Sequence, residues 1–550
     1  MEKVRHTTVH HLIRTLILLL LVTTLAAPAG AVTPSAQGTV WQYDALVVGV
    51  PFEDVGSTRD AGIVQVIHGA ASGLTAAHHE VKYQNLTGVE DKSEIEDYFG
   101  YTVAGGDFNG DGYPDLAVGV PREDVQVRIG FVDQTIQDAG AVHVFYGTAS
   151  GLDGPNKLWT RADFVSPLFM RADERFGHAL AVGDFNGDGY DDLAVGIPFG
   201  DVNLLTDAGA VRVIYGSANG LRAQGSQFLN QADYFPDTVA EAEDRFGWSV
   251  TAGDFDGDGY DDLAIGVPLE DTGDGADVGI VNVIYGSRTG LAAGRTGTWS
   301  QARLPVVRPQ PGDQFGLTLT SGDYNGDGYD DLVVGVPLED IGTTTDAGVI
   351  NLIFGSNRGL QATAAQTWYQ GFSSVPGMYE QDDLFGLALA SGDFNGDGYE
   401  DLAVGAPYED LGSATDAGAV IVFYGSATGP RAAGSQLWHQ NISDIIGVAE
   451  NTDFFGASLA GGDFNGDGYD DLAIGAPGES IYNTGVAGVV HVLYGGSAGL
   501  RAAGNQLWDQ KGLPGVGPEY YDQFGKTLAV LKAPSAVHSI YLPAAWKAWR

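Results

Sequence analysis

The sequence predicts an all-β protein, a seven-bladed β-propeller of four-stranded antiparallel blades whose last blade is closed by both termini. Three observations carry this prediction. An acidic nine-residue loop recurs six times about 70 residues apart, while a Phe-Gly pair and a Gly-x-Pro tripeptide each occur seven times. The 81 glycines and 22 prolines in 550 residues are typical of a chain rich in turns. Sheets that repeat at this interval bury their faces against neighbouring repeats, as blades of a ring do.

Each repeat contains the same parts in the same order. It opens with a Phe-Gly pair and an alternating stretch such as residues 178–182, which predicts a first strand. The acidic loop follows, and an apolar stretch such as residues 193–198 then predicts a second strand that ends at proline. Residues 141–146 and 437–440 illustrate a third strand and a fourth strand with an aromatic residue and a glutamine. Each unit is therefore expected to form one four-stranded sheet.

The two ends of the chain supply complementary parts of one repeat. The first repeat begins at about Trp41 and lacks the opening strand and the acidic loop. The last repeat, from Phe524 to Val530, has only the opening strand. Six complete repeats and one split repeat predict a closed ring, because closure removes the exposed sheet edges that an open array would carry.

The N-terminal segment has the features of a signal peptide. A basic leader precedes the apolar run from Leu16 to Val22, and residues 29–31 fit a small-residue cleavage site. The alternative is an uncleaved anchor, but the run is too short to span a bilayer. We therefore expect a secreted or cell-surface protein without a transmembrane segment after cleavage. The predicted divisions are a signal peptide (1–31), a short linker (32–40), the propeller (41–530) and a C-terminal tail (531–550).

Composition excludes several classes of function. The formal net charge is -44, which makes nucleic acid a poor partner because phosphate binding requires a basic surface. The chain has no cysteine, so disulfides, thiolate zinc sites and cysteine nucleophiles are excluded. Residues 495–499 match the G-x-S-x-G form of a hydrolase elbow, but they align with the turn after the third strand in other repeats.

The acidic loop has the composition of a calcium site. Side-chain oxygens fall at its positions 1, 3, 5 and 9, glycines at positions 4 and 6 permit the tight turn, and a backbone carbonyl is expected at position 7. The six loops predict six structural Ca²⁺ ions. The candidate ligands, loop by loop, are Asp107, Asn109, Asp111, Tyr113 and Asp115; Asp184, Asn186, Asp188, Tyr190 and Asp192; Asp254, Asp256, Asp258, Tyr260 and Asp262; Asp323, Asn325, Asp327, Tyr329 and Asp331; Asp393, Asn395, Asp397, Tyr399 and Asp401; and Asp463, Asn465, Asp467, Tyr469 and Asp471.

The loop differs from an EF-hand at position 12. That position holds valine or isoleucine of the second strand in place of a bidentate glutamate, so the carboxylate at position 9 must be the strong ligand. The alternative is a metal-free hairpin rich in Asp and Asn. Three or four carboxylates within nine residues would then repel one another without compensation.

These motifs resemble a known family. The Phe-Gly pair, the D-x-[DN]-x-D-G-x-x-D loop and the Gly-x-Pro tripeptide together resemble the FG-GAP repeat of the integrin α-chain N-terminal propeller, over about residues 41–530. The resemblance implies a seven-bladed propeller with Ca²⁺ in hairpin loops. The chain departs from it in having six metal loops and no leg domains, transmembrane helix or cytoplasmic tail. It is more similar to a stand-alone prokaryotic FG-GAP protein.

The expected function is adhesion or ligand binding outside the cell. The partner would be an extracellular protein or a glycan, the protein is expected to be monomeric, and no enzyme activity is expected because no unique cluster of acid, base and nucleophile is evident. The alternatives are a propeller-based hydrolase or polysaccharide lyase, and a structural cell-envelope protein. The longest departures from the repeat, residues 125–137 and 305–311, are candidate ligand contacts.

A second acidic set follows the Gly-x-Pro tripeptides. Repetition places it on one rim of the ring, where it either is solvated or binds a basic or cation-bridged partner. Its members are Glu53, Asp54, Glu123, Asp124, Glu270, Asp271, Glu339, Asp340, Glu409 and Asp410, with Asp60, Asp138, Asp207, Asp346 and Asp416 downstream.

Overall fold

The computed structural model describes residues 40–236, 238–304, 308–481, 485–514 and 517–534. The predicted signal peptide, most of the predicted linker and most of the predicted tail lie outside these residues. Part of the candidate segment 305–311 lies outside them as well.

The described chain forms seven four-stranded antiparallel sheets, the blades. Blade 1 contains β1 (Ala45–Val50), β2 (Ile63–His68), β3 (Thr75–Lys82) and β30 (Thr527–Leu531), blade 2 contains β4 (Thr102–Gly106), β5 (Asp115–Val120), β8 (Ala141–Phe145) and β9 (Asn156–Thr160), blade 3 contains β10 (Leu180–Gly183), β11 (Asp192–Ile197), β12 (Ala210–Tyr215) and β13 (Arg222–Leu229), and blade 4 contains β14 (Val250–Gly253), β15 (Asp262–Val267), β16 (Ile280–Ile284) and β17 (Thr296–Trp299). Blade 5 contains β18 (Thr318–Gly322), β19 (Asp331–Val336), β20 (Val349–Phe354) and β21 (Gln361–Trp368), blade 6 contains β22 (Ala388–Gly392), β23 (Asp401–Ala406), β24 (Ala419–Tyr424) and β25 (Arg431–Trp438), and blade 7 contains β26 (Ser458–Gly462), β27 (Asp471–Ala476), β28 (Val489–Tyr494) and β29 (Arg501–Trp508).

The blades close into a ring through their first strands. Each first strand contacts the first strand of the next blade, and β26 contacts β30, which in turn contacts β4. β30 pairs antiparallel with β1, with Val530 opposite Leu46, so the C-terminus supplies the innermost strand of the blade that the N-terminus begins. The predicted seven-bladed propeller and its split blade are confirmed.

The acidic loop and the Phe-Gly pair lie at opposite ends of each first strand. In blade 5, Gly322 at the end of β18 pairs with Asp331 of the acidic loop, whereas Thr318, just after the Phe-Gly pair, pairs with Gly335 of the Gly-x-Pro tripeptide. All blades share this antiparallel order. The ring therefore has a loop face, which carries the six acidic loops, and an FG face, which carries the Phe-Gly and Gly-x-Pro segments.

Neighbouring blades touch through two glycines on the FG side. The middle strands β15 and β19 are buried throughout, and Gly266 of β15 lies directly beneath the backbone of Gly316 in the next blade. A methyl group at Gly266 would overlap the carbonyl oxygen of Gly316. The same contact occurs at all seven junctions, between Gly49 and Gly100, Gly119 and Gly177, Gly196 and Gly247, Gly266 and Gly316, Gly335 and Gly386, Gly405 and Gly456, and Gly475 and Gly525.

Blade 2 carries an added hairpin on the segment that the sequence marks as variable. β6 (Val125–Ile129) pairs with β7 (Val132–Ile136), and Phe131 at the turn is 95% exposed. Helical segments are short: the α-helix Gln231–Tyr234 and the 3-10 turns Arg161–Asp163, Pro167–Phe169, Gln301–Arg303, Phe372–Ser374 and Gln510–Gly512. Within the described ranges, none of them has the length and apolar composition needed to cross a membrane.

Candidate functional site

Each acidic loop is a tight hairpin around the carboxylate at position 1. In blade 3 this carboxylate, that of Asp184, accepts the backbone N–H groups of Asp188 and Gly189 at 3.1 and 2.9 Å. Gly187 at position 4 has φ of +67°, a conformation that glycine adopts without strain. Phe185 at position 2 is fully buried in the blade, so its ring is a structural support for the loop.

The side chains at positions 1, 3 and 9 converge. In blade 3 the amide nitrogen of Asn186 lies 3.2 Å from a carboxylate oxygen of Asp192. In blade 4, where Asp replaces Asn at position 3, oxygens of Asp254, Asp256 and Asp262 all lie within 4.8 Å of one another. Such a set of oxygens fits a hard cation such as Ca²⁺. Asp188 at position 5 is exposed, and its carboxylate accepts the backbone N–H of Tyr190 at 3.2 Å.

Burial and like charge raise the pKa of the position 9 carboxyl. The pKa of Asp192 is raised to about 8, first because the group is desolvated and then because Asp184 and Asp188 lie nearby. A divalent cation would relieve both effects, since it supplies the opposite charge. The residues present therefore fit the predicted ion.

Position 9 also anchors the loop to the blade. The two carboxylate oxygens of Asp192 accept the backbone N–H groups of Phe185 and of Gly216, a residue after the third strand. Gly147, Gly286, Gly355, Gly425 and Gly495 make the second bond in the other repeats. This carboxylate therefore positions the hairpin on its sheet, a role that the sequence alone did not reveal.

The residue at position 8 links each loop to the loop of the preceding blade by hydrogen bonds. The sequence analysis did not predict this role. The backbone N–H of Asp184 donates to the carboxylate of Asp261 in the next blade at 2.8 Å, and the N–H of Asp261 donates back to the carbonyl of Asp184. The carboxylate bond recurs between Asp107 and Asp191, Asp254 and Asp330, Asp393 and Asp470, and Asp463 and Asp44. The loops thus form a hydrogen-bonded series around the loop face.

The split blade retains part of this series although it lacks a loop. Asp44 occupies position 8 and receives the N–H of Asp463, and a methyl group at Gly466 would contact the ring of Tyr43 at position 7. Lys532, just after β30, lies 3.4 Å from the same carboxylate of Asp44. Blade 2 has Pro114 at position 8, and proline has no backbone N–H to donate. The preceding blade 1 has no acidic loop that would accept such a bond.

Blade 4 contains a built-in counter-charge. The guanidinium of Arg295 contacts the carboxylate of Asp256 and lies 2.9 Å from that of Asp258. Arg222 and Arg501 approach the position 5 carboxylates of their own blades less closely, at 3.9 and 3.6 Å. An arginine therefore lies within 4.0 Å of a loop carboxylate at three of the six candidate metal loops, and it is closest in blade 4.

The second acidic set is not uniformly solvated, which corrects the expectation of a solvated or partner-binding rim for its glutamates, whereas its aspartates are partly or fully exposed. Its glutamates are buried, with exposed fractions of 0–8%. Each accepts a hydrogen bond of 2.5–2.6 Å from a buried glutamine of the preceding blade. The pairs are Gln84 and Glu123, Gln231 and Glu270, Gln301 and Glu339, Gln370 and Glu409, and Gln510 and Glu53. Gln440 makes the same bond to Glu479, a half-buried glutamate outside this set.

The remaining junction, between blades 2 and 3, uses an ion pair instead. Arg161 stands where the other blades have glutamine, Gly200 stands where they have glutamate, and Arg161 contacts Glu174. The aspartates downstream are structural too, because Asp346 and its equivalents take positive φ and donate their N–H to the preceding aspartate, as Asp346 does to Asp340. These groups therefore hold the blades and their loops together.

The buried glutamates give a pH prediction. Burial, followed by the nearby Asp313, raises the pKa of Glu339 to about 8 from an ordinary 4.5. The folded protein thus keeps a proton that the unfolded chain releases, so this contribution to stability is complete below about pH 4.5 and is lost as the pH rises towards 8.

We expect Glu339→Gln to reduce this pH dependence, because the neutral amide needs no proton. Relative to the wild type, the variant should gain about 1 to 3 kcal/mol between pH 5 and pH 9. Urea unfolding at both pH values, with Ca²⁺ in excess, measures the difference. Exposed Asp274→Asn is the control, and an identical pH slope in wild type and Glu339→Gln would contradict the prediction.

The FG face carries three positions whose side chains change from blade to blade. The residues before the Phe-Gly pairs all have φ of 53–62°, a region that costs non-glycine residues energy. They are Tyr98, Arg175, Arg245, Gln314, Leu384, Phe454 and Gln523. The residues after the pairs are Tyr101, His178, Trp248, Leu317, Leu387, Ala457 and Lys526, and those after Gly-x-Pro are Phe52, Arg122, Phe199, Leu269, Leu338, Tyr408 and Gly478.

In blades 2 to 4 these positions form one cluster of aromatic rings and arginines. The ring of His178 lies 5.4 Å from Tyr101 and 4.7 Å from Trp248, between centroids. The guanidinium carbons of Arg175 and Arg245 lie 4.3 and 4.5 Å from the ring centroid of Phe199. We call these six residues the blade 2–4 cluster.

Comparison with known proteins matches the repeats directly. A family model described as FG-GAP repeat matches residues 99–145, 176–214, 246–281, 315–350, 385–423 and 455–493. Integrin alpha-PS2 of Drosophila melanogaster is 33% identical over 257 residues, which are 45% of this chain and 16% of that protein.

Other similar proteins are enzymes by name. Phosphatidylinositol-glycan-specific phospholipase D of Rattus norvegicus is 28% identical over 403 residues, which are 69% of this chain and 43% of that protein. The chain thus spans less than half the length of these curated relatives. Among solved structures, a rhamnogalacturonan lyase of Bacillus licheniformis aligns with a TM-score of 0.31 and 11% identity, over 79% of this chain and 83% of that one.

Proposed function

Because the chain belongs to the FG-GAP repeat proteins and folds as a seven-bladed propeller, we propose that it binds a ligand outside the cell through its FG face. The observation that carries the proposal is the contrast between the two faces. The loop face repeats nearly the same residues six times, whereas three positions per blade on the FG face differ from blade to blade. Integrin α relatives support an adhesion-type role and an extracellular or cell-surface location.

We also propose that the loop face binds Ca²⁺. Side chains at positions 1, 3, 5 and 9 would hold one ion in each of the six loops, with Asp262 and its equivalents as the most buried ligands. The ions would supply charge compensation for clustered carboxylates. Their role in this proposal is structural, because the loops are also bonded to one another through position 8.

Enzyme activity is the second candidate function, because one of the proteins similar to this chain is named a phospholipase D. It would require a reactive cluster on the FG face, where His178 is the nearest candidate base. Burial and the two nearby arginines lower the pKa of His178 to about 4, which favours the neutral imidazole. Assays on phosphodiesters and polysaccharides distinguish the candidates, and turnover abolished by His178→Ala would favour the enzyme.

Binding is tested with the labelled chain on arrays of extracellular-matrix proteins and glycans. The matched variants use side chains that the repeats already place at equivalent positions: Arg245→Gln and Trp248→Leu for the FG face. Asp274→Asn, in an exposed loop, is the control. We expect at least one ligand whose signal falls in the FG-face variants alone. Binding that no FG-face variant changes would refute the proposal.

A further inference from the structure

The arginines of the blade 2–4 cluster form no ion pair within the described part of the chain. Neither Arg175 nor Arg245 has a carboxylate within 4.0 Å, whereas Arg122 at a comparable place in blade 2 lies 3.0 Å from Asp138 and 3.1 Å from Glu96. The Nε of each arginine in the cluster is buried and makes no hydrogen bond. Asp207 is close enough for both arginines to favour its charged form, yet it forms no ion pair with them.

Two cations lie against one ring in the cluster, as Arg161 and Arg212 do at Phe228. The net charge is -44 with only 27 lysines and arginines, but both guanidinium groups pack on Phe199, and Arg245 also lies 5.5 Å from the ring of Trp248. Stacking on an aromatic ring fixes the plane of a guanidinium and leaves its N–H edge available. A pair of fixed guanidinium edges is suited to a carboxylate, which accepts two parallel N–H bonds.

The aromatic residues extend across successive blades. Tyr101, His178 and Trp248 occupy the same position in blades 2, 3 and 4, and form a continuous row of rings. Tyr101 and Trp248 are partly exposed. An apolar sugar face packs on such rings, and a row of equivalent rings suits a polymer with a repeating unit better than a peptide of varied side chains. The observations therefore favour a glycan as the carrier of the carboxylate.

We infer that the blade 2–4 cluster binds an acidic polysaccharide, with uronate carboxylates on Arg175 and Arg245 and sugar rings on Tyr101 and Trp248, which flank the buried His178. This site rests on the proposed function and names its ligand class.

The test uses short galacturonate oligomers with the full chain in excess Ca²⁺, measured by calorimetric titration. Arg175→Gln with Arg245→Gln should weaken binding at least about tenfold, equivalent to about 1.4 kcal/mol. Trp248→Leu should weaken it as well. Both changes should preserve folding, because Gln314, Gln523, Leu317 and Leu387 occupy the same positions in other blades. Exposed Arg358→Gln is the matched control and should bind as the wild type does.

Two further arms decide the ligand class. Methyl-esterified galacturonate oligomers, which lack the charge, should not bind. Equal binding of polyglutamate with the same dependence on the two arginines would overturn the glycan in favour of an acidic peptide. No binding of either polymer, or equal loss in Arg358→Gln, would overturn the site itself. Binding of another ligand that still depends on FG-face residues would then leave the proposed function standing.

Discussion

Removal of Ca²⁺ with a chelator is expected to lower the melting temperature of this protein by roughly 10 °C or more. The reason is that an ion bound only to the folded state stabilises it by about 2.7 kcal/mol per site when the free ion is in hundredfold excess over Kd. Each of the six loops places at least three aspartates within nine residues, and the carboxyl of Asp262 has its pKa raised to about 9 by burial and by Asp256 and Asp254. Without a bound ion, the aspartates of these loops must either stay protonated or repel one another. Calorimetry with and without chelator measures the shift, and added Ca²⁺ should restore it.

A matched pair of variants shows whether the effect arises in the loops. Asp327→Asn removes a charge at position 5, and Asp274→Asn removes one from an exposed loop outside the proposed sites. Asp327→Asn should reduce the calcium-dependent part of the melting temperature by about a sixth, because one of six sites is weakened, while Asp274→Asn should leave it unchanged. A melting temperature that does not respond to chelator would refute structural Ca²⁺ binding.

Gly266→Ala should destabilise the ring by about 3 kcal/mol or more, as overpacking against backbone atoms does. A methyl group at this position would overlap the carbonyl oxygen of Gly316 in the next blade and the hydroxyl of Ser249 in its own. The neighbouring backbone is fixed by the bond from Gly266 N–H to the carbonyl of Ser249 at 2.9 Å, so it cannot move aside easily.

The control lies seven residues further along the same blade. Gly273 is exposed, and a methyl group there would meet no atom within 4 Å. Gly273→Ala should therefore stay within about 0.5 kcal/mol of the wild type. Urea unfolding of both variants, with Ca²⁺ in excess, gives the comparison. Equal stability of the two variants would show that the glycine contact between blades is not needed.

The sequence predicted the repeating framework because its signals are local. The alternation after each Phe-Gly pair, the proline at the end of each second strand and the oxygens within nine residues of Asp184 all act within one hairpin. The complementary halves near Trp41 and Phe524 even predicted the closed ring, since counting repeats requires no knowledge of contacts. Calcium in the loops remains a prediction made from this local pattern.

Contacts between blades were decided only by the tertiary structure. Glu339 reads as a charged loop residue, but it is buried because Gln301, 38 residues away, donates to it from the preceding blade. Asp261 at position 8 looks no different from its charged neighbours, yet it receives a bond from a loop 77 residues earlier. Arg175 and Arg245 meet at Phe199 for the same reason: equivalent positions become neighbours only when the blades pack around an axis. The chain's sequence therefore determined each blade and its loops, and the packing of the ring determined which acidic groups are buried and which side chains form the proposed ligand surface.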